Sequence, residues 1–197
     1  CSFQYIYFSR PDSILDGLDV YHVRESAGRY LAHQKPVEAD VVVGVPDSGI
    51  VAAIGYSEES GIQYSMGLVR SKYMGRSFIL PSQSLREQAV KLKLNPMRKV
   101  IAGKRVILVD DSLVRGTTAK KLIKLLREAG ATEVHFRLAS PMVKSECYFG
   151  VDISSKEELI ASRMSVDEIC GGEQFCEGCF TATYPIKDIE NHQEDKC

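Results

Sequence analysis

A chain of 197 residues, 44% hydrophobic and 26% charged, is long enough to bury one sizeable core, and it reads as a single globular domain with an appendage. Lys plus Arg number 25 against 26 for Asp plus Glu, and the resulting net charge of −1 argues against a general nucleic-acid binder or a membrane-surface protein. No apolar run approaches the roughly 20 residues that span a bilayer, and the opening CSFQYIYFSRPDS lacks the basic-then-apolar layout of a signal peptide, so a cytoplasmic protein is expected.

Residues 19–34 mix charge with Val23, Ala27, Tyr30 and Leu31 at helical steps, and Pro36 comes soon after, which predicts a helix. ADVVVGVPDSG (39–49) reads as an aliphatic strand, a Gly-Pro turn and a short acidic loop. A helix is expected over 49–60, stopped by Gly61, and then a strand in YSMGLVR (64–70). The basic stretch 71–104 has no uniform period and is long for a connection, so it is either a lid or a surface hairpin or short helix with solvated lysines. Val106–Val109 is a branched aliphatic run suited to a strand covered on both faces. Thr117 or Thr118 can cap the next helix, whose apolar positions Ala119, Leu122, Ile123 and Leu126 end at Gly130. EVHFRLASP (133–141) is one more strand, and beyond about residue 164 periodicity gives way to Cys, Gly and acidic residues. Alternating strands and helices predict a doubly wound, mostly parallel α/β sheet with ligands at the strand C-terminal ends, which puts both acidic loops on one edge.

The chemistry concentrates in VILVDDSLVRGTT (106–118). A loop of small and hydroxylated residues at a helix N-terminus presents unpaired amides and the positive end of the helix dipole, which suits a phosphate. Asp110 and Asp111 just upstream would repel that phosphate unless they served another part of the ligand, either sugar hydroxyls or a divalent cation. A phosphorylated sugar with free hydroxyls meets both demands.

This motif closely resembles the 5-phosphoribosyl-1-pyrophosphate (PRPP) binding motif of type I phosphoribosyltransferases. The resemblance implies that fold. It also implies that Asp110 and Asp111 face the ribose while Ser112, Leu113, Val114, Arg115, Gly116, Thr117 and Thr118 wrap the 5-phosphate. YIYFSRPDS (5–13), GVPDSG (44–49), KYMGRSFILPSQSLREQAVKLKLNP (72–96), REAGATEVH (127–135), SKEELIAS (155–162) and CFTATYP (179–185) extend the resemblance to the glutamine PRPP amidotransferases, in order, over nearly the whole chain. The activity implied by that resemblance is transfer of the phosphoribosyl group from PRPP to ammonia, giving 5-phosphoribosylamine and pyrophosphate, the first step of purine (IMP) synthesis. Ser48, Asp110 and Asp111 would form the Mg2+ neighbourhood, Lys72, Tyr73 and Arg76 a catalytic loop closing on PRPP, and Lys93 a contact for purine nucleotides acting as feedback inhibitors. A homo-oligomer is also implied. The other reading is a non-catalytic PRPP-binding regulator, but neither end resembles a DNA-binding module.

CEGC (176–179) is a CxxC pair of the kind that grips zinc or an iron-sulfur cluster. In some members of the resembled family a 4Fe-4S cluster is held by four separated cysteines, and the matching positions are Cys1, Cys147, Cys176 and Cys179. Cys170 and Cys197 have no place in that pattern. The expected organisation is a phosphoribosyltransferase domain over 1–163 and a cysteine-rich tail over 164–197. The family's N-terminal glutaminase domain is expected to be absent from this chain, with ammonia coming from a glutaminase domain or subunit, and Cys1 is not read as its nucleophile.

Overall fold

The computed structural model describes residues 1–34, 36–71, 94–114, 116–141, 143–149, 151, 153 and 159. The chain opens in a π-helical stretch, Gln4–Phe8, that buries Tyr5. A hairpin of β1 (Ile14–Leu15) and β2 (Leu18–Asp19) turns through Asp16 and Gly17, both at positive φ. Then come α1 (Val20–Gln34), β3 (Val41–Gly44), α2 (Ile50–Ser60), β4 (Leu68–Arg70), β5 (Leu94–Pro96), α3 (Arg98–Ile101), β6 (Arg105–Asp110), α4 (Thr117–Glu128) and β7 (Glu133–Leu138).

Strands β3, β6 and β7 form a parallel sheet in that order, with Val41 beside Val106 and Gly44 beside Val109. Alternation along each strand divides the core in two. Val42, Ile107 and Val109 face Leu31, Ala32, Ala52, Ala53 and Tyr56 of α1 and α2. Val41, Val43, Val106 and Leu108 face the opposite layer, with Ile101 of α3 and Leu122 and Leu126 of α4. Residues Val106–Val109 are fully buried, as an aliphatic run covered on both faces requires. The expected α/β architecture with helices on both faces of a parallel sheet is present.

Two local expectations are corrected. The strand read over 64–70 is split. Tyr64 makes one parallel bridge to Val42, while Leu68–Arg70 leaves the sheet to pair antiparallel with β5. The Gly67 carbonyl accepts the Met97 N–H at 2.8 Å, so a nearby antiparallel partner draws the segment away from the parallel sheet. Residues 94–101 of the 71–104 stretch are a hairpin strand and a short helix, one of the readings its sequence allowed, and Leu94 packs against the core. Last, neither threonine caps α4. Gly116 is the N-cap, in the left-handed region at φ 74°, with no side-chain cap bond. The expected strand over 133–141 ends at Leu138, and α2 stops at Gly61 (φ 71°) as its sequence predicts.

Candidate active site

Both acidic loops lie on the C-terminal edge of the sheet, because β3 and β6 are neighbours running the same way. The Val45 N–H donates to the Val109 carbonyl at 2.8 Å, and the Gly49 N–H to the Val45 carbonyl at 2.9 Å. A Cβ on Gly49 would fall 2.5 Å from the Val109 oxygen and 3.0 Å from the Asp110 Cα. Only glycine there lets the 44–49 turn press against the end of β6, which sets Ser48 beside the acidic pair.

Asp110 and Asp111 are 9% and 7% exposed. The Asp110 carboxylate accepts the Asp111 N–H at 2.9 Å, and the Asp111 carboxylate accepts the Ser112 hydroxyl. Burial, reinforced by the adjacent Asp111 charge and only partly offset by the Asp111 amide, pushes the Asp110 carboxyl up to about 7. A carboxylate pair held this way favours a cation or hydroxyl donors. Downstream, the Gly116 carbonyl accepts the Lys120 N–H at 3.1 Å, the first bond of the α4 ladder, so the earlier amides of the helix have no partner within it. The uncapped start leaves these groups for an anion.

These features surround one cavity of about 490 Å3. Ser48, Asp110, Asp111, Ser112, Leu113, Val114, Gly116 and Thr118 all line it, so the predicted residues of both acidic loops and the phosphate turn come together. Arg70 also lines it; its guanidinium pairs with Asp47 at 3.2 Å and donates to the Pro46 carbonyl at 2.8 Å, bracing the 44–49 turn with a positive group at the cavity's mouth. Arg70 was not singled out from sequence, and neither were Phe3, Tyr7, Phe8, Val151 and Ile153, which form an apolar wall. The density of aromatics in FQYIYF was the available signal for that wall.

Two carboxylates and a hydroxyl are hard oxygen donors of the kind Mg2+ takes, so Ser48, Asp110 and Asp111 fit that ion by donor chemistry. Among the described residues no group of three or more His, Cys, Asp or Glu has the geometry of a metal site. Cys1 is an exposed free thiol and Cys147 a half-buried one. Cys147 packs against a small cluster of Phe3, Val143, Ile153 and Leu159, which ties the N-terminal segment to the 143–149 loop. Lys72, Tyr73, Arg76, Lys93, Arg115, Cys170, Cys176, Cys179, Cys197 and the Thr117 side chain lie outside the described residues, as does the tail over 164–197. No helix among the described residues is long and apolar enough to cross a membrane.

The chain is 57% identical over 169 residues to the amidophosphoribosyltransferase of Bacillus subtilis, covering 86% of this chain and 36% of that protein. A solved structure titled as the allosteric regulatory enzyme of purine biosynthesis superposes with a TM-score of 0.83 at 48% identity, covering 95% of this chain and 47% of that one. The B. subtilis glutamine PRPP amidotransferase, solved with ADP and GMP, superposes with a TM-score of 0.80 at 47% identity, covering 95% and 48%. The chain therefore spans less than half the length of these relatives. Residues 12–160 match the phosphoribosyl transferase domain, and with its parallel sheet and two converging acidic loops the chain belongs to that family.

Proposed function

We propose that this chain is the phosphoribosyl-transferring part of an amidophosphoribosyltransferase, converting PRPP and ammonia to 5-phosphoribosylamine and pyrophosphate in the cytoplasm, the first step of purine synthesis. The observation that carries the reading is the shared cavity: a buried acidic pair and an uncapped helix N-terminus face the same space of about 490 Å3, within the usual range of small-molecule sites. Asp110 and Asp111 accept hydrogen bonds from the ribose hydroxyls, and the amides at Gly116–Thr118 hold the 5-phosphate. The 44–49 turn, braced by Arg70, meets the pyrophosphate. Similarity to the relatives above, all described as purine-synthesis enzymes or amidotransferases, supports ammonia as acceptor.

The bond between the anomeric carbon and pyrophosphate breaks with its electron pair leaving on oxygen, and the ribose ring gains cationic character. The nitrogen lone pair of ammonia forms the new bond to that carbon, and the product sheds one proton to solvent. Because the nucleophile arrives neutral, no residue has to act as general base. The chain's contribution is charge placement: carboxylates near the cationic ring, and Arg70 with the helix amides near the departing and anchored phosphates. Mg2+, when bound, neutralises pyrophosphate charge. Lys72, Tyr73 and Arg76 belong in this reading to a loop that closes over the substrate, and purine nucleotides such as the ADP and GMP of the B. subtilis structure compete for or regulate the same site. A glutaminase domain or subunit supplies the ammonia, the functional unit is a homo-oligomer, and Cys1, Cys147, Cys176 and Cys179 hold a 4Fe-4S cluster that ties the tail to the core.

The test supplies PRPP, Mg2+ and ammonium at alkaline pH and monitors pyrophosphate release. Turnover is expected, with a loss of roughly a hundredfold or more in Asp110→Asn or Asp111→Asn, the scale seen when one electrostatic group of an active site is removed. Stoichiometric PRPP binding without any ammonia-dependent turnover would reject the catalytic reading in favour of a sensor.

A further inference from the structure

Directly behind the main cavity lies a second one of about 50 Å3, and Ser48 and Asp111 line both. Its far wall is Arg24 of α1, with Tyr5 and Ala139 beside it. Arg24 is 6% exposed, an unusual place for a guanidinium. Its Nε donates to the Tyr5 carbonyl at 2.7 Å and its Nη2 to the Ser9 carbonyl at 2.8 Å. These two bonds use two of five donors and supply no counter-charge, since both acceptors are neutral carbonyls. Burial lowers the Arg24 guanidinium from its ordinary value, and the charge of the Asp111 carboxylate opposes that lowering. Aliphatic side chains, Ile6, Val23, Ala27 and Ala52 among them, make up most of the remaining lining, so a buried cation and a buried anion facing this gap stabilise each other only if whatever fills it can hydrogen-bond both. A space of about 50 Å3 holds one to three water molecules, each needing two to four polar partners, and the guanidinium, the Ser48 hydroxyl and the Asp111 carboxylate are such partners.

We propose that Arg24 is a positioning residue for the acidic pair: through water in this rear cavity it orients the Asp111 carboxylate toward the ribose, while its carbonyl bonds strap the N-terminal aromatic wall to the same site. The inference rests on the PRPP reading of the main cavity. It explains why a helix on the far side of the sheet edge carries a buried charge, and it makes the N-terminal segment part of the site's construction and not merely its cover.

A double-mutant cycle on the full chain tests it, with the PRPP dissociation constant in the presence of Mg2+ and the KM and kcat of ammonia-dependent turnover as readouts. Arg24→Met is expected to weaken PRPP binding by about tenfold or more in the parent, and by no more than about twofold in an Asp111→Asn background, the coupling expected of groups sharing one network. Arg24→Lys keeps the charge and is expected to recover part of the loss; it also serves as the measured variant should Arg24→Met fail to fold. Equal factors in both backgrounds would mean that Arg24 acts on general integrity alone, and would overturn the proposal while leaving the PRPP reading intact. A parent chain that neither binds nor turns over PRPP would overturn both.

Discussion

Asp110→Asn should stabilise the ligand-free protein even as it disables the site. The wild-type carboxyl, ordinarily near 3.8, is pushed up to about 7 in the fold, by burial first and by Asp111 second. Between those two values the unfolded chain is ionised while the folded chain still holds its proton, so stability falls as pH rises and levels off above about 7. At about 1.36 kcal/mol per pH unit the full penalty is about 4 kcal/mol, of which about 2 kcal/mol develops between pH 5 and pH 7. Asparagine has nearly the same shape, its Oδ1 can keep accepting the Asp111 N–H, and it never ionises. The variant is therefore expected to exceed the wild type by about 4 kcal/mol at pH 8, or roughly 8 to 16 °C in Tm for a chain of this size. At pH 5 the advantage shrinks to between about 1 and 2 kcal/mol. Urea unfolding at the two pH values measures it, urea being preferred to guanidinium chloride because it does not screen the carboxylate pair. A variant no more stable than the wild type at pH 8, or an advantage identical at both pH values, would refute the idea that charge burial at this strand end is costly.

Gly49→Ala forces a methyl against the Val109 carbonyl, 2.5 Å away, and is expected to cost about 1 to 3 kcal/mol of stability and to weaken PRPP binding by moving Ser48, both read by denaturation and calorimetric titration. Leu126→Ala, at a fully buried position between α4 and the sheet, should cost about 2 to 5 kcal/mol in urea unfolding while leaving KM for PRPP near the wild-type value in the folded fraction. Cys147→Ser in anaerobically purified protein should abolish the brown colour and visible absorption of an iron-sulfur cluster, and equal iron content in wild type and variant would remove Cys147 from the ligand set.

The sheet and its site were legible because their physics is local in sequence. Val106–Val109 announces a strand buried on both faces, Asp110 and Asp111 can only mark where it leaves the core, and the small-residue loop before a periodic helix announces a turn into a helix N-terminus. Parallel pairing of β3 with β6 then brings Ser48 to the same edge without further information. What escaped was decided by groups distant in sequence. The departure of residues 68–70 from the sheet depends on a partner far along the chain, as in Leu68 against Pro96. The Thr cap failed because Gly116 takes up the left-handed conformation one residue earlier, a choice that threonine's capping preference does not reveal. Arg70 and Arg24 were invisible for a related reason: a single arginine on a strand or amphipathic helix has no periodic signature, and its role appears only when Pro46 and Asp47, or Tyr5 and Asp111, are seen beside it.

These placements account for a tension within the site. Two adjacent carboxylates at a buried strand end oppose folding, and the fold answers with groups drawn from near and distant segments: the Asp111 amide, the Ser112 hydroxyl and the Arg24 guanidinium behind the rear cavity. None of these removes the cost at Asp110, whose carboxyl still stands near 7. A ligand that supplies positive charge or hydroxyl donors would offset it, so on the proposed function the free energy withheld from the empty protein becomes part of the binding free energy for PRPP and its cation. In the proposed function the acidic pair is thus placed where it destabilises the apo state because the same burial would make its interaction with the ribose strong.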